Sequence, residues 1–318
     1  MPSLAALLAD PDEEIRSAAA TALGWAGNRA GIEALLARAT DARESAAVRG
    51  AAIAALGRIG DGSVVPVIEG LARDPDTGVR RDALLALIES PLAMRTDRVA
   101  AGVALLGDLE QDGNMRSRAA VALGAAKDPR AVEPLIKALE DLRPPKGYGS
   151  LPPPRAQTGQ AKILAERLRS LHNLRAHAAL ALGQIGDQRA VPALLVALSD
   201  ADPFVRMQSA AALGGLKAQG AVPKLIQALE DPDARVRLVA TAVLGVQGDS
   251  AAGPALRRTL EDQDGNVRGQ AARALGRLGD QGAREGLAKI AEQDPVPGVR
   301  QAARAALDLL GPAPEPKQ

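Results

Sequence analysis

An arginine that follows an apolar residue and precedes a leucine by seven positions occurs nine times in the chain. The copies stand at Arg16, Arg49, Arg80, Arg116, Arg175, Arg206, Arg237, Arg268 and Arg300. The intervals between them are 33, 31, 36, 59, 31, 31, 31 and 32 residues, so one period with a single near-doubled gap accounts for almost all of the 318 residues. A period of this size argues against one closed core, because each unit must bury its surface on its neighbours.

The copy around Arg237 shows what a unit is. Val236, Ala240 and Leu244 fall at i, i+4 and i+8 and make one apolar stripe on a helix. Asp231 and Pro232 ahead of it predict an N-cap and a first-turn proline, and Gly245 and Gly248 predict its end. Upstream, Val222, Leu225, Ile226 and Leu229 lie at i, i+3, i+4 and i+7 and predict a second amphipathic helix. The residue third after each arginine is Ala or Ser, as helices stacked at close spacing require. Two helices this short cannot bury their own stripes, so stability must come from stacking.

Composition removes several function classes. Aromatic residues are limited to Trp25, Tyr148 and Phe204, and there is no cysteine, hence no disulfide, thiolate nucleophile or cysteine metal site. Lys+Arg 39 against Asp+Glu 38 leaves a net charge of +1, which supplies no field to draw the chain onto nucleic acid or an anionic membrane. No signal peptide or membrane-spanning run is read, and a soluble, cytoplasmic protein is expected.

A first-helix proline, an Asp at the turn, Val-Arg opening the second helix and a closing Ala-Leu-Gly together resemble the HEAT-repeat superfamily, in its short bacterial form related to phycobilisome-lyase-type repeats. The resemblance implies an all-α, right-handed α-solenoid of nine two-helix repeats over 1–311. They run over about 1–28, 29–60, 61–90, 91–127, 128–186, 187–217, 218–248, 249–279 and 280–311, with a disordered tail at 312–318. It further implies a ladder in which a turn Asp bonds the arginine of an adjacent repeat, carried by Asp10, Asp74, Asp200, Asp231, Asp262 and Asp294. Arg43, Glu110 and Arg169 stand where that Asp is expected for Arg49, Arg116 and Arg175, so register is read as less firmly fixed there. Arginines at one fixed position beside a fixed Asp are read as structural pairs, not phosphate binders.

Two departures from the period stand out. Arg304 and Asp308 replace small or apolar residues in the last repeat and predict a polar C-terminal cap. The N-terminal end has no matching polarity, which suits either an imperfect cap or a piece of a longer chain. The long interval holds a Pro/Gly-rich loop at 142–157 and then a helix at 159–182, capped by Thr158 and striped with Ala161, Leu164, Leu168 and Leu171. A tolerated surface insertion and a docking arm bearing Tyr148 are equal readings of it.

No catalytic or cofactor constellation is found. His172 and His177 are five apart on one helix, off a common face. Base flipping would need aromatic platforms that the chain lacks. The resemblance implies that the second helices line the concave face. The second, fifth and ninth positions after each arginine are then free of packing duty. The partner-binding candidates are Trp25, Arg58, Arg118, Val121, His177, Leu180, Gln184, Gln208, Gln270, Arg273 and Arg277, with Tyr148 from the loop. Arg118 and His177 are expected side by side. The expected function is a non-enzymatic scaffold binding a protein segment with acidic residues. A bilin lyase or chaperone-like subunit is the alternative, and a nucleic-acid backbone binder ranks third.

Overall fold

The computed structural model describes residues 4–92, 97–141 and 159–312. These form two compact units, Met1–Pro134 and Leu135–Gln318, with the boundary inside one helix. The first unit contains α1 (Glu13–Trp25), α2 (Ile32–Thr40), α3 (Ala46–Ile59), α4 (Val65–Leu71), α5 (Thr77–Glu89), α6 (Arg98–Gly107) and α7 (Gly113–Ala126). Next, α8 (Val132–Asp141) crosses the boundary. The second unit continues with α9 (Gly159–Ile185), α10 (Val191–Ala197), α11 (Pro203–Gly215), α12 (Val222–Ala228), α13 (Ala234–Gln247) and α14 (Gly253–Thr259). It ends with α15 (Gly265–Leu278), α16 (Arg284–Gln293) and α17 (Pro297–Leu310). The described regular structure is all α-helix and short 3-10 turns, and it contains no helix long and apolar enough to cross a membrane.

Every predicted second helix is present, as the odd-numbered helices. In the first unit α1 packs on α3 and α3 on α5; in the second, α9 packs on α11, α11 on α13, α13 on α15 and α15 on α17. The short first helices α2, α4 and α6 in the first unit and α10, α12, α14 and α16 in the second each pack on the second helix that follows. The leucine seven after the arginine is at most 3% exposed from Leu23 to Leu275, and each such burial contributes about 1.5–3 kcal/mol. These are the solenoid's helix pairs.

Three local expectations are corrected. The N-cap of α13 is Asp233 rather than Asp231. Asp231 is engaged by Arg206 and accepts the Asp233 N–H at 2.9 Å, so the chain turns there and the helix begins two residues later. Gly245 does not end α13. It is buried, and a Cβ there would sit 2.6 Å from the Cβ of Ala274, so glycine is required by the approach of α15. Gly248, at φ 73°, makes the actual left-handed end. The long helix runs to Ile185, three residues past its expected end, and Leu168 is buried. Thr158, the side chains of Ala161 and Leu164, the loop 142–157 with Tyr148, and the tail beyond 312 lie outside what is described.

Candidate functional site at the ends of the second helices

The arginine at the reference position is structural. Arg206 donates through Nε and Nη2 to Asp231 at 2.7 and 2.7 Å, and Arg237 does the same to Asp262 at 2.7 and 2.8 Å. Arg268 meets Asp294 at 2.7 and 3.0 Å. The remaining Nη1 donates to the carbonyl of the arginine's own turn, Asp200 O for Arg206 and Asp231 O for Arg237, both at 2.8 Å. One guanidinium thus ties two adjacent turns in a bidentate geometry. Burial pushes the Asp262 carboxyl up, but Arg237 and the Asp264 N–H outweigh it and hold it below the usual carboxylate range. Arg268 holds Asp294 down in the same way.

In the first unit one rung uses the Asp that spacing predicts and two form where spacing left them open. Arg16 donates to Glu44 at 2.9 and 2.8 Å, Arg80 to Asp108 at 2.8 Å and to Glu110, and Arg49 to Asp74. Where spacing offered Arg43, Glu44 supplies the acid, and where it offered Glu110, Asp108 joins Glu110 on Arg80; in the second unit Arg175 meets Asp200 at 2.9 Å. Arg116 departs further. It is buried, donates to Leu106 O at 2.7 Å, and burial lowers its pKa.

With the ladder assigned, the remaining exposed positions define the candidate surface. The ninth residue after the arginine is exposed on all nine second helices, from Trp25 and Arg58 through Gln184 and Val246 to Arg277 and Leu309. In the first unit the Arg58 guanidinium lies 4.5 Å over the Trp25 ring, so ninth residues of successive helices are side by side. Arg118 is paired with Glu89, the ninth residue after Arg80 and the last of α5, which raises its pKa. A cavity of about 300 Å³ opens among Ala54, Arg58, Leu85, Glu89 and Arg118. Val121 is 47% exposed beside it in sequence.

In the second unit His177 Nδ1 lies 2.7 Å from Asn173 O and its ring meets Phe204 edge-on at 6.4 Å. Leu180 and Gln208 are half-buried and Gln184 is exposed. Arg273 is exposed and donates to Gln270 at 3.2 Å; Arg277 is exposed one turn on. Arg118 and His177 belong to different units. His172 is buried, with Nδ1 2.9 Å from Asp202 Oδ2, but the contact is too far out of line for a hydrogen bond. Burial raises Asp202, yet His172 and the N–H groups of Phe204 and Val205 hold it low. The pairings missed in the sequence are those of Glu44, Asp108 and Glu89; stacking, not the regular spacing, brings an arginine to each.

The HEAT repeats family matches residues 1–90, 161–245 and 222–308, and the PBS lyase HEAT-like repeat matches residues 115–141. Among curated proteins there is no match. Among solved structures, Escherichia coli YibA aligns at 16% identity over 91% of this chain and 95% of that chain, with a TM-score of 0.56. Kap121p aligns at 15% identity over 96% of this chain and 37% of its own, with a TM-score of 0.57. Kap95p, in a structure describing its binding to RanGDP, aligns at 14% identity over 96% of this chain and 50% of its own, with a TM-score of 0.53. At these identities the likeness is one of fold.

Proposed function

The chain belongs to the HEAT-repeat family, and from that premise we propose that it is a non-enzymatic scaffold binding a protein segment that carries acidic residues. The segment lies along the ends of the second helices, the concave face of such repeats, in a cytoplasmic protein. One observation carries this reading. From α1 to α15 the leucine seven after the arginine is buried, and on all nine second helices the ninth residue is exposed, so the exposed row faces away from the packed core. A shallow row of small, apolar and basic side chains suits a polypeptide better than an enclosed small molecule. A net charge of +1 speaks against a nucleic-acid backbone.

The test is affinity capture from native lysate followed by hydrogen exchange on the captured complex. Protection is expected at the C-terminal ends of odd-numbered helices. Protection confined to the short helices α10, α12, α14 and α16 would overturn the reading. A bilin lyase or chaperone-like subunit remains a second reading, favoured by the PBS lyase HEAT-like match at 115–141. Visible absorbance on the protein after co-expression with bilin synthesis would support that alternative.

A further inference from the structure

The two units treat the charge on their exposed rows differently. In the first, Arg118 is matched by Glu89 and Arg58 rests on Trp25. In the second, the second, fifth and ninth positions of α11, α13, α15 and α17 include no Asp or Glu. Arg273 and Arg277 are their only charges, and among the described residues neither forms an ion pair. Asp308, at the eighth position, is exposed beside Arg304 on the outer face of α17. Arg277 is flanked at the same repeat position by Val246 on α13 and Leu309 on α17, which are 71% and 67% exposed. An apolar site, a cation and an apolar site thus follow one another on three stacked helices.

Stacked helices lie about 8–10 Å apart. A polyproline II segment rises about 3.1 Å per residue with three residues per turn, so every third side chain points the same way at intervals of roughly 9 Å. The two periods agree. A β-strand, whose side chains alternate with a period of two, would turn every other third residue away.

We propose that Val246, Arg277 and Leu309 together recognise a polyproline-II-like segment of the pattern apolar-x-x-(Asp/Glu)-x-x-apolar, with Arg273 reinforcing the central acid. This rests on the scaffold reading and names its partner. The pattern reads the same in both directions, so either chain polarity fits. The chain's own last residues do not match it, because Gln318 stands three after Glu315.

A phage-displayed library of random twelve-residue peptides, selected on the full chain and counter-selected on the Arg273→Glu/Arg277→Glu variant, tests this. The expected consensus has an acid flanked at three residues on each side by apolar residues. A synthetic peptide of that consensus should bind the variant at least tenfold more weakly, and its acid→Lys counterpart should recover binding to the variant. Both arginines are exposed, so the variant should keep its melting temperature. A consensus without the acid, an equal affinity for the variant, or no enriched pattern would each overturn the proposal. If acid-free peptides still protect the second-helix ends from exchange, the scaffold reading stands without it; if they protect the first helices, both fall.

Discussion

Arg237 on α13 and Arg16 on α1 hold the same repeat position, yet Arg237 meets an Asp 25 residues on and Arg16 a Glu 28 residues on. In the second unit three successive rungs repeat one geometry; in the first, Arg49 keeps the 25-residue interval to Asp74 while Arg16 and Arg80 take an acid 28 residues on. The fold therefore demands an acid beside the guanidinium in space and tolerates variation in its place along the chain. Asp at the turn does more than pair. Asp262 also accepts the Asp264 N–H at 2.8 Å and so shapes the turn itself, whereas Glu44 accepts its own neighbour, Ser45 N–H.

Acid should give the largest effect and test whether the two sets of rungs are equivalent. A carboxyl held below its ordinary pKa adds stability above about pH 4 and loses it as pH falls through the folded value. Glu44, Asp74 and Asp108 in the first unit and Asp262 and Asp294 in the second are all held low. Asp233, pulled to about 2 by Arg235, extends the window downward. Hydrogen exchange is expected to accelerate in both units between pH 4 and pH 2. Loss confined to one unit would show that its partner's rungs contribute nothing.

Removing one acid separates the two designs. Asp262→Ala strands Arg237, a pair 8% and 15% exposed at its side chains, and is expected to lower stability by about 3 kcal/mol in chemical denaturation. Glu44→Ala should lower it less: both arginines keep their backbone carbonyls, but Asp262 also accepts the Asp264 N–H that shapes its turn, whereas Glu44 accepts only its neighbour's. Equal losses would erase the distinction.

The glycines give the next contrast. A Cβ on Gly245 meets Ala274 at 2.6 and 2.8 Å, whereas one on Gly57 meets Ala86 and Ser90 side chains at 3.2 and 3.3 Å. Gly245→Ala should destabilise by about 1–2 kcal/mol despite the gain in helix propensity, while Gly57→Ala should be close to neutral. Melting curves of the two variants decide it, and a neutral Gly245→Ala would mean the helices are not so closely stacked.

Helix pairing, the nine copies and most of the ladder were legible in the sequence because each rests on a fixed spacing. Glu44 and Asp108 were not, because each lies 28 residues after its arginine where the regular rungs have 25 or 26, and they stand five and eight before the next arginine, not six. Arg118 read as a free cation. Its partner Glu89 is seven positions farther along its own helix, and only the offset between stacked helices aligns the two. Gly245 was misread as a helix end because glycine marks ends and close approaches alike. Trp25 and Arg58 share one repeat position, and stacking brings them into contact, though the sequence was read only as placing both on the groove.

The central claim is that arginines of the ladder hold the stack while arginines of the exposed row do not. Thermal melting of Arg237→Ala beside Arg277→Ala tests it most directly, since the two side chains lie on adjacent stacked helices. Arg237→Ala should melt several degrees lower than the unchanged protein, having left Asp262 unpaired, and Arg277→Ala should melt at the same temperature as the unchanged protein. Equal falls in both variants, or an unchanged melting temperature for Arg237→Ala, would contradict the account.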